Sequence, residues 1–417
     1  MGWNCFGVLQ SYKNNRETQI QEFTTNNVRV FSYNSLRSAT GHFHPSNKIG
    51  GGGFGVVYKG VLRDGTCVAI KCLSAESKQG TKEFLTEINM ISNTQHPNLV
   101  QLIGCCVESG NRMLIYEYLK NNSLASALLA DWTESGRVKI VISGSNGKRV
   151  ALNWPQRVAI CLGTASGLAF LHEEASPPIV HRDIKASNIL IDENLHPKIG
   201  DFGLAKLFPE NVTHLSTRVA GTIGYLAPEY ALFGQLTKKA DVYSFGVLVL
   251  EIISGRSSSK SAFGVDLLVL VEWVGLYFQL YDLQDSSVIS ILKVYALQVW
   301  KLREEGQLLE IIDPELTEYP ETELLRFIKV ALFCTQAAPT QRPNMKQVIE
   351  MLSKEVNLNE KSLTEPGIYR PHSSKRSSYG SLQKSSSAGK KGVQSVNPFV
   401  TSTKFESFQS VTQMLPR

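Results

Sequence analysis

The sequence predicts an α+β fold built in two parts, a small lobe formed around an antiparallel sheet and a larger, mainly helical lobe. Three observations predict it. Short β-branched and aromatic runs cluster between Lys48 and Tyr118, and helical patterns dominate from Trp154 onward. One of these, "ADVYSFGVLVLEIISG", is apolar nearly all round, as a helix at the centre of a domain must be.

Taken in order, residues 1–30 are polar without a sustained period and read as a flexible arm. In "FSYNSLRSAT", Phe31, Leu36 and Ala39 suit a short docking helix. Strands are expected at Val56-Val57-Tyr58, Val68-Ala69-Ile70 and Leu114-Ile115-Tyr116. Between them "TKEFLTEINMIS" is helical, with Phe84, Ile88 and Ile91 on one face. The segment "ADWTESGRVKIVISGSNGKRVALN" reads as a surface loop or hairpin. After Asn359 the chain turns to Ser, Lys and Gly, so a basic tail over 358–417 is expected to be disordered.

Composition narrows the function. With 42% hydrophobic and 19% charged residues the 417-residue chain has the makeup of a soluble globular protein. The net charge of +6 is mild and concentrated in the tail, where Pro366 to Lys404 contains no acid; this is no nucleic-acid-binding domain. Seven cysteines without paired spacing indicate buried thiols in a reducing compartment. Cys105 and Cys106, adjacent on a strand, should face opposite sides. No apolar run reaches the length of a membrane span; even the apolar stretch Val271–Gly306 is broken by Glu272, Asp282, Asp285 and Lys293.

The chemistry lies in four motifs. "IGGGGFGVVYKG" places Gly50, Gly52 and Gly55 at a spacing that lets backbone N–H groups approach phosphate oxygens. The strand-like "VVYKGVL" that follows makes them cap a hairpin, whereas a dinucleotide fold would need a helix there. Lys71 in "VAIK" sits on the next strand. Glu87 lies among apolar neighbours on the expected helix, where a carboxylate is costly unless paired, and Lys71 is its natural partner. "HRDIKASN" gathers His181, Arg182, Asp183, Lys185 and Asn188 in one loop, and "DFG" brings Asp201 thirteen residues after Asn188. A carboxylate to orient a hydroxyl, with a carboxylate and an amide to hold divalent metal, is what phosphoryl transfer requires.

The order of these motifs, closed by "APE" at Ala227–Glu229, resembles the protein kinases from about Phe31 to Asn357. The phrases "GGFGVVYKG", "NLVQLIGCCVE", "IVHRDIKASNIL", "GTIGYLAPEYA" and "TEPGIYR" look like plant receptor-like cytoplasmic serine/threonine kinases of the cold-responsive type. The resemblance implies a bilobal kinase domain over 31–357, with lobes at about 43–118 and 119–357 and insertions near 131–150 and 274–298. It implies ATP with Mg2+, or Mn2+ in its place. Ile49, Gly50, Gly51, Gly52, Gly53, Phe54, Gly55, Val57, Ala69, Lys71, Tyr116, Glu117, Leu119, Asn188 and Leu190 would line the nucleotide site. Asn188 and Asp201 would bind metal, Asp183 would accept the substrate proton, and Lys185 and Glu87 would assist. Tyr116 matches the gatekeeper, and Lys185 with Thr222 the serine/threonine pattern.

By the same resemblance, Arg182 would receive a phosphorylated activation loop, with Thr213, Ser216 and Thr217 as acceptors. His181, Phe202 and Asp241 would brace the catalytic loop, and Glu229 with Arg342 would close the lower lobe. Protein substrates and an upstream receptor kinase are the implied partners of a monomer or transient dimer. The implied setting is cytoplasmic, with plasma-membrane contact through the basic tail or through the N-terminal arm, where Gly2 and Cys5 are candidate acylation positions, although the myristoylation pattern wants Ser or Thr where Phe6 stands. A scaffold has no evident reason to keep Lys71, Glu87, Asp183, Asn188 and Asp201 together.

The chain departs from the family between Trp273 and Val299. Without Val274–Gln298 it reads Val271-Glu272-Trp273-Val299-Trp300-Lys301, an uninterrupted helix pattern. The excised piece starts with a valine, whose codons begin GT, and ends with a glutamine that CAG encodes. It therefore has the boundaries of a retained in-frame intron or a gene-model artefact, with a family-specific insertion as the alternative, and its translation would give a catalytically impaired isoform or scaffold.

Overall fold

The computed structural model describes residues 28–52, 55–73, 78–92, 94–108, 110–128, 131–133, 136–138, 152–209, 211–257, 299–356 and 358–364. The upper lobe opens with α1 (Tyr33–Ala39), whose N-cap Ser32 accepts from Ser35 N. Five antiparallel strands follow: β1 (Lys48–Gly52), β2 (Gly55–Val61), β3 (Cys67–Leu73), β4 (Leu102–Glu108) and β5 (Asn111–Glu117), in the order β1-β2-β3-β5-β4. Between β3 and β4 runs α2 (Lys78–Ile91).

Strand alternation divides the side chains of this sheet between two helices. Val68, Ile70, Met113 and Ile115 pack with Leu36 and Phe31 on the α1 side. Leu73, Leu114 and Cys105 pack with Phe84 and Ile88 on the α2 side. Cys105 and Cys106 are both buried and belong to these two opposite clusters, as their adjacency on a strand demands. Complete burial of side chains such as Phe84 and Ile88 contributes about 1.5–3 kcal/mol each.

The lower lobe begins with α3 (Leu124–Leu128) and continues, after a short hairpin, with α4 (Trp154–Glu173). Asn153 and Gln156 form a reciprocal capping box at the start of α4, with Pro155 in its first turn. In the hairpin, β6 (Asp131–Thr133) pairs with β7 (Gly136–Val138). Short pairs then frame the loops: β8 (Ile179–Val180) with β11 (Lys206–Leu207), β9 (Ile189–Ile191) with β10 (Pro197–Ile199), and β12 (Leu215–Ser216) with β13 (Gln235–Leu236). Three longer elements complete the lobe after α5 (Pro228–Phe233): α6 (Lys238–Ser254), α7 (Glu321–Cys334) and α8 (Met345–Ser353). Every residue of α6 from Ala240 to Ser254 is buried, so its all-round apolarity does mark the central helix.

The fold reaches past both ends read from the sequence. Val30 bridges Cys105 in parallel, so the ordered chain starts within the segment taken as arm. At the other end, residues 358–364 belong to the fold and not to a disordered tail. Leu363 is buried in the lower core, Glu360 pairs with Lys329 at 2.6 Å, and Thr364 N donates to Gln336 Oε1 at 3.3 Å. A buried leucine and an ion pair outweigh the polar composition around them. The arm before Val28 with Gly2 and Cys5, residues 258–298, and the tail beyond Thr364 lie outside the described residues. Val299 and Trp300, within the helical residues 299–304, are buried in the lower core. Among the described residues no helix is long and apolar enough to cross a membrane.

Candidate active site

The glycine motif forms the turn between β1 and β2, with Gly50 opposite Val57, Gly51 opposite Val56 and Gly52 opposite Gly55. Gly55 has φ +123, and a Cβ there would lie 2.1 Å from the Cys72 carbonyl oxygen. Only glycine fits. Ile49 lies on β1 beside these glycines; Gly53 and Phe54 are outside the described residues. Register places Val57 opposite Lys71, and Ala69 opposite Tyr116. Val57, Ala69, Lys71 and Tyr116 therefore share one face of the sheet, the α2 face.

On that face Lys71 Nζ donates to Glu87 Oε1 at 2.5 Å and to Asp201 Oδ1 at 2.9 Å. The contact joins strand, helix and "DFG" loop across both lobes. Burial opposes the charge of Lys71, but Glu87 and Asp201 outweigh it and raise its pKa. Burial pushes the Glu87 carboxyl up to about 7, against the pull of Lys71. Asp201 is held well below the ordinary carboxylate range because Lys71 overcomes its burial. Tyr116 donates its hydroxyl to Glu87 Oε2, and burial followed by the Glu87 charge raises its pKa well above the usual value.

Beyond β5, Glu117 N–H donates to Gln101 O at 3.1 Å, so its contact with a base would fall to the carbonyl; Leu119 follows in the link to the lower lobe. Glu117 Oε1 also accepts from Lys198 at 2.9 Å. Leu190, half-buried on β9, reaches within 3.6 Å of where a Gly200 side chain would begin.

The loop between β8 and β9 holds Asp183, 4% exposed. Its Oδ1 accepts from Thr222 Oγ1 at 2.7 Å, and its Oδ2 from Lys185 Nζ at 2.8 Å and Asn188 Nδ2 at 3.0 Å. Lys185 also reaches Thr222 Oγ1 at 2.8 Å. Asn188 Nδ2 donates a second bond to Asp183 O at 2.9 Å. Both amide hydrogens are spent, which turns Asn188 Oδ1 into the atom able to meet a cation. One amide oxygen and the Asp201 carboxylate suit a magnesium ion that keeps waters and phosphate oxygens as its other ligands. No cluster of three metal-ligating side chains occurs among the described residues.

Asp241, at the start of α6, braces this loop from below. Its carboxylate accepts from His181 N at 2.7 Å, Arg182 N at 2.8 Å and His172 Nε2 at 2.9 Å. Those bonds offset the left-handed backbone of Arg182, φ 72, in a region that costs about 1–3 kcal/mol for a non-glycine residue. Asp201 is left-handed as well, φ 64. His181 Nε2 bonds the Gly200 carbonyl at 3.1 Å, and its ring meets Phe202 edge-on at 4.9 Å. The Arg182 guanidinium donates to Leu204 O and Arg218 O, both at 2.9 Å, and to the Tyr230 hydroxyl. It already ties the activation segment to the loop.

Of the expected acceptors, Thr213 and Ser216 are exposed; Thr217 is half-buried with its N–H on Gly234 O at 3.1 Å. Thr222 is drawn into the Asp183 network instead. Arg342 meets Glu229 in a bidentate pair, both contacts 2.7 Å. His172 and Tyr230 were not singled out by spacing; both act at long sequence range, and only the adjacency of Tyr230 to "APE" hints at its place.

This site defines a phosphotransferase of the protein kinase class. A family model for protein tyrosine and serine/threonine kinases matches residues 43–352, and the chain belongs to the protein kinase family. It is 49% identical over 344 residues to Cold-responsive protein kinase 1 of Arabidopsis thaliana, across 82% of this chain and 78% of that protein. It is also 49% identical over 342 residues to a probable leucine-rich repeat receptor-like serine/threonine-protein kinase of the same plant, of which it spans 30%. Another receptor-like relative is 48% identical over 329 residues, with 28% of its length spanned. The chain is a serine/threonine kinase.

Proposed function

We propose that the chain transfers the γ-phosphoryl group of ATP to Ser and Thr hydroxyls of protein substrates, in signalling beside receptor kinases at the plant plasma membrane. The observation that carries the reaction is the Asp183 carboxylate, fixed by Thr222, Lys185 and Asn188 in one hydrogen-bonded cluster.

Asp183 orients the acceptor hydroxyl and takes its proton as the oxygen attacks phosphorus and ADP departs. Lys185 and Thr222 hold that carboxylate in place, and the Lys185 ammonium beside it would offset charge on the transferring group. Lys71, steadied by Glu87, meets the nucleotide phosphates, and the β1–β2 glycines cover them. Asn188 and Asp201 hold magnesium, which when bound offsets phosphate charge. The membrane setting rests on the receptor-like relatives and on Gly2 and Cys5 as acylation positions.

Phosphopeptide mapping after incubation with ATP and magnesium tests the reading. Phosphate on Thr213, Ser216 or Thr217 in the intact chain and its absence in Asp183→Asn is the expected result. Equal labelling of both proteins would refute it.

A further inference from the structure

The family match starts at residue 43, whereas the fold starts at least fifteen residues earlier. Cys105 N donates to Arg29 O at 2.9 Å, and Phe31 N donates to Cys105 O at 2.8 Å. These two bonds add a short parallel edge to β4, centred on Val30. Tyr33 N then donates to Glu108 Oε2 at 2.6 Å, so the segment is tied to both the middle and the end of that strand.

The extended backbone sends alternate side chains to opposite faces. Phe31, 7% exposed, packs with Cys106, Met113 and Ile115 on the α1 side. Val28 packs on the other side with Cys105, Phe84, Ile88 and Leu114. Gly104 makes the room: a Cβ there would lie 2.4 Å from both the Phe31 ring and the Arg29 carbonyl oxygen. Phe84 and Ile88 flank Glu87 on α2, so the cluster that Val28 closes is the one that seats the helix carrying this carboxylate.

We propose that residues 28–31 are a clip that positions Glu87 for the kinase reaction. The proposal rests on the kinase reading of the site and adds to it an element outside the family match. Val28 and Phe31 are positioning residues: they touch no reacting atom and act through β4 and α2 on the Lys71–Glu87 pair. An exposed β4 edge with an open Phe84–Ile88 cluster would let α2 shift, and a shift near 1 Å at a positioning group is enough to slow a reaction many-fold.

The test uses the full chain carrying Val28→Ala or Phe31→Ala, with Val30→Ala, whose side chain is 41% exposed, as control. Amide hydrogen exchange is read over α2 and over α6, alongside steady-state kinetics. Protection of α2 should fall about tenfold in the first two variants while α6 is unchanged. The kcat/KM for ATP should fall about fivefold to tenfold, and Val30→Ala should match the wild type. Unchanged α2 protection, or equal losses in α2 and α6, would overturn the proposal. A wild-type chain without phosphotransfer would sink the kinase reading alone, since the exchange comparison still decides whether the clip holds α2.

Discussion

Glu87 divides its carboxylate between two partners: Oε1 takes the Lys71 ammonium at 2.5 Å, and Oε2 accepts the Tyr116 hydroxyl. A fully buried carboxylate is tolerated when both oxygens are satisfied, and here β3 and β5 each supply a donor. Tyr116 therefore helps to fix the carboxylate that steadies Lys71.

Tyr116→Phe removes one donor and leaves Glu87 Oε2 unsatisfied. Loss of about 1–3 kcal/mol of stability is expected, with a higher KM for ATP. Denaturant unfolding and initial-rate kinetics measure the two effects, and a variant equal to wild type in both would show that the hydroxyl contributes nothing.

Asp183→Asn keeps the shape of the loop but cannot accept a proton. Its kcat is expected to fall by about 10²–10⁴, while nucleotide affinity stays within about twofold because Lys71, Glu87 and Asp201 are untouched. A fluorescent nucleotide titration beside a phosphotransfer assay separates the two quantities.

Arg342→Ala leaves Glu229 buried without its bidentate partner. Breaking such a pair costs about 3–5 kcal/mol. The loss should appear as a lower unfolding midpoint, and Glu229→Gln should recover part of it in the Arg342→Ala background by removing the orphaned charge.

Asp241 titrates below the ordinary aspartate range because its hydrogen bond with His172 and nearby charges outweigh its burial. Folding thus lowers the affinity of this carboxyl for its proton. The stabilisation is complete above the unfolded value, about 3.9, and is lost as pH falls through it toward the folded value. The stability gap between wild type and Asp241→Asn should be flat from about pH 7 to 5 and narrow below about pH 4. A gap that widens in acid contradicts the assignment.

Removal of Val274–Gln298 should join Trp273 to the buried Val299 and Trp300. Higher thermal stability and phosphotransfer at least equal to the full chain are expected, because the removal restores an uninterrupted helix pattern through Trp273, Val299 and Trp300. Amplification of transcripts across Trp273–Lys301 gives the complementary test: if every transcript contains the segment, it is no retained intron.

Local signals made the upper sheet, α2 and α6 legible, because alternation and helical periodicity report directly on which face is buried. The chemical residues were legible for a different reason: Asp183, Lys185 and Asn188 share one loop, so their spacing alone brings them together. Long-range contacts were not. Arg157 pairs with Asp313 at 2.7 Å and donates to Ile252 O at 2.8 Å, closing the end of α6 across a separation no period encodes. Tyr225 reaches Glu251 at 2.5 Å in the same way. The polar composition after Asn359 pointed to disorder and concealed Leu363, whose burial holds the described residues 358–364 to the lobe.

The burial of Val299 and Trp300 also governs what kind of insertion this kinase can carry. Both residues sit in the lower core, so any flexible chain placed ahead of them would be a loop with its far end fixed. The entropy of closing such a loop grows only with the logarithm of its length, about 0.6 kcal/mol for each doubling. Length alone is thus a small burden. Interruption of the helix pattern that Trp273 and Val299 would otherwise share is therefore the larger cost of any insertion at that junction.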